Sequence, residues 1–221
     1  MELSEVMRTT AAVRSFTDDP VPPDVLHRVL DTARFAPSGG NQQGWHVTVV
    51  RDRALRRQLG DHSTVVWRRY QAEQRAGYRA MSVVNPAPPD LPIPDDIPEH
   101  PMLAGIESVP EVLVVTVDLG VLAVMDRDLD RPSVVGGASI YPFVHNVLLA
   151  ARNEGLGGVL TTFLVAAEPQ VGPLIGLPEG HAIVAMICLG VPVHQPTKLR
   201  RHPVEAFTTV DRIDGPPLTI D

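Results

Sequence analysis

Apolar residues are spaced along this chain in two different ways. Val25, Leu26, Val29, Leu30 and Ala33 recur at i, i+1, i+4, i+5 and i+8, which predicts an amphipathic helix over Asp24–Arg34. Ile140, Phe143, Val144, Val147, Leu148 and Ala151 repeat in the same way and predict the clearest helix, Gly137–Asn153, closed by Gly155–Gly158. Weaker patterns predict helices at Leu3–Ala12, Arg53–Leu59, Trp67–Arg79 and Pro169–Leu177. Glu111–Asp118 and His181–Val191 are Val- and Leu-rich without a period, as buried strands are. His46–Val50 and Val159–Phe163 read as shorter strands.

Two regions break the pattern. Residues 60–108 hold a polar stretch with Trp67, Tyr70 and Tyr78, then Pro86, Pro88, Pro89, Pro92, Pro94, Pro98 and Pro101. Proline fixes φ and removes a backbone donor, so regular structure is not expected there. The segment is read as an excursion within one domain spanning 1–221: a lid or partner-contacting structure, or else a plain surface insertion. Its aromatics are either a satellite core or a stacking wall for a flat ligand. The tail from Pro192 onward is polar and has no core pattern of its own.

The chain has 221 residues, 44% of them apolar, enough for one sizeable core. A net charge of −7 argues against nucleic acid as a partner, and any phosphate site must be a local basic cluster. The single cysteine, Cys188, lies in an apolar run and reads as core filler; a disulfide framework is excluded. No signal peptide and no transmembrane helix is expected, which points to a cytoplasmic protein without a membrane partner. The histidines show no metal-ligand spacing, and no Gly-x-Ser-x-Gly elbow exists. With no acid, base or nucleophile in evident array, borrowed cofactor chemistry becomes the economical reading.

The residues that could hold such a cofactor are concentrated in Ala36–Trp45, which lies between a helix and a strand and is rich in Pro, Ser, Gly, Asn and Gln. Glycine lets a backbone approach a ligand closely, and Asn and Gln can read a heterocycle with mixed polar edges. The alternative is an ordinary helix-capping loop with Gly39 as its left-handed cap. Pro37-Ser38-x-x-Asn41-x-Gln43-x-Trp45 resembles the hallmark loop of the nitroreductase family of FMN-dependent flavoproteins. The resemblance extends in the family's order through Val13–Phe16 with Pro20–Pro22, Gly136–Phe163 and the basic group Lys198–Pro203.

That resemblance implies an α+β fold: a mostly antiparallel central sheet wrapped by helices, in a homodimer with swapped tails, the segment 194–221 reaching the partner. It implies FMN at the dimer interface. The ring and ribityl chain would be lined by Pro37, Ser38, Gly39 and Asn41, and backed by the segment Val159, Leu160, Thr161 and Thr162, with the backbone N–H of Thr161 or Thr162 facing flavin N5. Arg14, Arg200 and Arg201 would hold the phosphate. Thr10 and Ala12 stand where the family has Arg and Ser, and Gly44 where it often has proline; Arg8 is the candidate to replace the missing cation. The implied activity is ping-pong hydride transfer from NAD(P)H to a small acceptor such as a nitroaromatic, a quinone or a flavin. A flavin-storage protein, or a branch specialised in reductive dehalogenation or flavin cleavage, is the alternative.

Overall fold

The structure, a computed structural model, describes residues 1–220. Four antiparallel strands form its centre: β1 (Trp45–Val50), β2 (Glu111–Asp118), β3 (Gly157–Thr161) and β4 (His181–Gly190), in the order β1-β2-β4-β3. The central pair, β2 and β4, is buried on both faces. Leu113, Val115 and Val117 pack on one side, and Val112 and Val114 on the other. This two-sided burial explains why both strands read as aperiodic apolar runs. Between Val115↔Ala185 and Thr116↔Ile183 the register skips Val184, a β-bulge. Val184 and Ala185 consequently face the same layer, and the Glu168 carboxylate accepts the Ile183 N–H at 2.5 Å.

One face carries α2 (Pro23–Ala33) and α5 (Tyr141–Asn153); their apolar stripes are those the spacing predicts. The other carries α3 (Arg53–Arg75), α4 (Pro101–Ala104), α6 (Phe163–Ala166) and α7 (Glu168–Ile175).

Three segments differ from the sequence expectation. The first helix, α1 (Leu3–Thr9), stops short of Ala12. The Thr9 and Thr10 hydroxyls donate to the Glu5 and Val6 carbonyls, each at 2.7 Å, competing with the helical ladder. The backbone then turns to the sheet edge, where the Val13 N–H donates to the Gly158 carbonyl at 2.9 Å.

Second, α3 is one unbroken helix rather than two. Asp52 caps it by accepting the Leu55 N–H at 2.7 Å. Gly60 sits inside this helix, where a Cβ would lie 2.8 Å from the Leu103 carbonyl and 2.7 Å from Ile106. Only glycine allows that approach, which outweighs its poor helix propensity.

Third, the proline-dense segment lacks regular structure as its composition predicts, yet it is fastened down by side chains of α3. Arg69 spans the carbonyls of Pro88, Pro89 and Leu91; Arg68 reaches the Pro94 carbonyl at 3.1 Å, and Arg75 pairs with Asp96 at 2.8 Å. Prolines leave backbone carbonyls without local N–H partners, and a guanidinium has five donors to offer. Ile97, within the segment, is buried.

The start of the tail runs along its own chain: the Val193 N–H donates to the Ser15 carbonyl at 3.1 Å and Gln195 to the Thr9 carbonyl at 2.8 Å. Beyond that, Phe207 is 68% and Ile213 99% exposed. The final tail residue, Asp221, lies outside the described residues.

Candidate functional site

The backbone of residues 12–17 is stitched between two strands. Ala12 bridges Gly158 on β3, and Phe16 bridges Pro192 beyond β4. Arg14 is thereby held at the sheet edge beside the end of β3. There a cavity of about 560 Å³ opens, lined by Arg14, Leu160, Thr161 and Thr162 together with side chains from α3 and α4. The size falls within the range that takes a whole small-molecule cofactor.

Its wall is aromatic. Trp67 and Tyr70 stack at 6.1 Å between ring centroids, and Phe163 meets Trp67 edge-on at 5.8 Å. The Trp67 indole N–H donates to the Pro98 carbonyl at 3.0 Å, tying this wall to the proline segment. Trp67 and Tyr70 thus form a small aromatic cluster, as one of the two expectations had it, and that cluster also lines the cavity. Tyr78 lies outside the cavity lining.

His100 completes the wall. It packs perpendicular to Trp67 at 4.9 Å, and its Nδ1 accepts the Leu103 N–H at 3.4 Å, capping α4. Burial, with Arg14 second, pushes its pKa below the usual histidine value. Sequence reasoning passed over this histidine, since no acidic partner or repeated spacing marks it. The available signal was local: His100 precedes Pro101, a proline in the first turn of a helix.

The structure brings Arg14, Leu160, Thr161 and Thr162 together and leaves the other candidates apart. Pro37, Ser38, Gly39 and Asn41 lie before β1, at the opposite edge of the sheet. Three strand spacings of about 4.8 Å separate β1 from β3, some 14 Å in all. The loop is held from its own side: the Gly39 N–H donates to the Ser139 hydroxyl at 2.9 Å, and the Gln43 N–H to the Ser38 hydroxyl at 3.0 Å. It is not a simple cap with Gly39 left-handed. Gly40 (φ 60°), Asn41 (φ 54°) and Gln43 (φ 50°) are the left-handed residues. Asn41 and Gln43 pay a conformational penalty that a plain connector would avoid, and such strain concentrates at binding loops.

Arg8, Arg200 and Arg201 are exposed and do not line the cavity. Arg201 donates to the Arg200 carbonyl at 2.7 Å, and neither guanidinium is ion-paired among the described residues. Cys188 is fully buried with its thiol pushed up to about 12 by burial, which makes it the inert core residue expected.

A protein-family model described as the nitroreductase family matches residues 7–191. The chain belongs to the nitroreductase family. An NADH dehydrogenase of Thermus thermophilus is 28% identical to it over 204 residues, covering 88% of each chain. A 5,6-dimethylbenzimidazole synthase of Rhodobacter capsulatus is 29% identical over 197 residues, covering 86% of this chain and 83% of the relative. In fold, the chain is similar to the NADPH:FMN oxidoreductase of Vibrio harveyi, solved with NAD+. The TM-score is 0.69 at 22% identity, over 96% of this chain and 78% of that one. Membership in the nitroreductase family supports flavin-dependent oxidoreduction as the general chemistry. No helix among the described residues is long and apolar enough to cross a membrane.

Proposed function

We propose that this nitroreductase-family protein is an FMN-dependent oxidoreductase that passes hydride from NAD(P)H to a small flat acceptor, a nitroaromatic or a quinone, by a ping-pong cycle. The observation that carries this reading is the cavity at the end of β3. It combines an aromatic wall, a strand end at Thr161–Thr162 and a guanidinium, Arg14, with no hydrogen-bond or ion-pair partner among the described residues. FMN fits these groups: its ring is flat and apolar on its faces, its edge accepts hydrogen bonds, and it carries negative charge. When bound, the flavin supplies hydride acceptance and release. The chain's part is to position and shield. Trp67, Tyr70 and Phe163 exclude water from one side, and Arg14 answers negative charge.

In this reading the working unit is a homodimer. The exposed apolar side chains of the tail need a surface to cover, and a second copy supplies one. Two-fold pairing also gives the Pro37–Asn41 loop and the basic Arg200–Arg201 segment a partner cavity to complete. Sedimentation of the FMN-loaded protein at submicromolar concentration is expected to give twice the chain mass. A monomer that retains FMN would rule the pairing out.

The test of function is anaerobic mixing of the FMN-loaded protein with NADH or NADPH. Bleaching of the flavin absorbance, then its return with a nitroaromatic or quinone, is the expected result. Bound flavin that neither nucleotide reduces would favour a storage role. The likeness to a 5,6-dimethylbenzimidazole synthase makes a specialised branch the second reading, and it predicts reduction without turnover of these acceptors.

Arg14→Ala is expected to weaken FMN binding about ten- to a hundred-fold, the loss of one charge-assisted contact. Titration by fluorescence quenching measures this. Riboflavin affinity should hardly change if Arg14 meets the phosphate. An equal loss for both flavins would place Arg14 at the ring instead.

A further inference from the structure

The cavity contains a second polar group that the family resemblance does not assign. His100 is 9% exposed, and its ring is held from three directions: against Trp67 at 4.9 Å, against Phe163 at 6.3 Å, and by the cap bond from the Leu103 N–H to Nδ1. The same Leu103 N–H also donates to the His100 carbonyl at 2.9 Å, so the Nδ1 contact is the longer branch of a shared bond, and it suits the neutral tautomer that carries its hydrogen on Nε2. Nε2 has no partner in the protein among the described residues, although the ring lines the cavity. Nε2 is not sealed from solvent, so an acceptor on a bound group takes the place of water as its partner.

The surroundings say what kind of group that is. No Asp or Glu lines the cavity, in a protein whose net charge is −7. Glu99, the adjacent residue in sequence, lines a different hollow with Arg57 and Asp61. The charged group lining the cavity with His100 is the cation Arg14. Arg14 and burial both hold the imidazole uncharged, so His100 enters binding as a neutral donor, with no proton to lose first.

We propose that His100 is a ligand-binding residue of this cavity, and that its Nε2–H, beside Arg14, hydrogen-bonds a negatively charged group of the bound flavin. The proposal rests on the flavin reading given above. The anionic group is either the phosphate of FMN or the ring edge once the flavin is reduced, and the two sources are separable by experiment. His100 would thereby supply a donor in a protein that has Thr10 and Ala12 where the family has Arg and Ser.

The experiment compares two variants with the wild-type protein. His100→Asn keeps a good helix cap but is too short to reach as far into the cavity. His100→Phe keeps the ring packing and removes both nitrogens. Melting curves identify which of the two stays folded, and affinity for FMN and riboflavin is then titrated alongside the midpoint potential of the bound flavin. A phosphate contact predicts about ten- to a hundred-fold weaker FMN binding with riboflavin unchanged. A contact to the reduced ring predicts unchanged binding of both oxidised flavins, and a potential lower by about 30 mV for each tenfold loss of preference for the reduced form. A folded variant with wild-type affinity for both flavins and an unshifted potential overturns the proposal. Wild-type protein that binds neither flavin would overturn the flavin reading itself, a separate result.

Discussion

Replacing Arg56 with methionine is expected to remove about 3–5 kcal/mol of folding stability, enough to leave little native protein at modest urea concentrations. Arg56 is 7% exposed and lies under the sheet edge, where its guanidinium donates to Val50 at 2.7 Å, Val109 at 2.5 Å and Pro110 at 3.4 Å, all backbone carbonyls. Methionine fills similar space but leaves the two closer carbonyls buried without donors, each costing about 1–3 kcal/mol. Glu111 adds to the loss. Burial already raises its pKa, opposed by Arg51 and Arg56, so removing Arg56 takes away part of what keeps it ionised. Arg56→Lys should recover less than half, since the guanidinium reaches the three carbonyls from three separate nitrogens and lysine has only one. Urea midpoints with matched slopes measure the difference. A loss below about 1 kcal/mol would mean that water replaces the guanidinium at this edge.

The second large effect is expected at Arg69→Met. Arg69 does two things: it spans the carbonyls of the proline segment, and it pairs with Glu73 at 2.8 Å. Glu73 is 5% exposed and also accepts the Met81 N–H at 2.7 Å. Breaking the pair leaves a buried carboxylate with a single donor, a loss of about 3 kcal/mol at neutral pH. The pH dependence has a definite sign. The Met81 N–H, and then Arg69, lower the Glu73 pKa below 4.5 in the folded protein. Its stabilising contribution is therefore complete above about pH 4.5 and fades as the pH falls through the lower folded value. The variant should lose less stability on acidification than the wild type, because less is there to lose. Urea melts at pH 7 and pH 4 compare the two slopes; identical acid sensitivity would show that Arg69 does not act through Glu73.

The elements that set the frame were legible in sequence for physical reasons. Apart from Glu111, Thr116, Asp118 and His181, the β2 and β4 runs are apolar without a period because both faces of the central strands are covered, and α2 and α5 each show one apolar stripe because only one side is. What failed was local. The α3 stripe thins at Gly60–Asp61–His62, so periodicity breaks exactly where packing against Leu103 and Ile106 demands glycine. The fastening of the proline segment was not legible because Arg68, Arg69 and Arg75 lie in a separate element, α3, and meet its carbonyls only in the folded chain. The site was half legible. Motif positions located Arg14 and Leu160–Thr162, which the fold brings into one cavity. Nothing in the spacing of His100 set it apart from the other histidines, because its role comes from a helix cap and ring packing that exist only once α3 and α4 meet.

The arginine-clasped proline segment has one more consequence. A long surface connection is ordinarily a hazard, since an extended backbone offers alternating donors and acceptors on which another chain can build a strand. Here proline stands at 86, 88, 89, 92, 94 and 98, so the donors are sparse, and Arg68 and Arg69 occupy several of the acceptors. The segment has too few free backbone groups left to seed a cross-β ladder. The protein can therefore carry a long irregular crossing between α3 and α4 beside the Arg14 cavity without presenting a sticky edge.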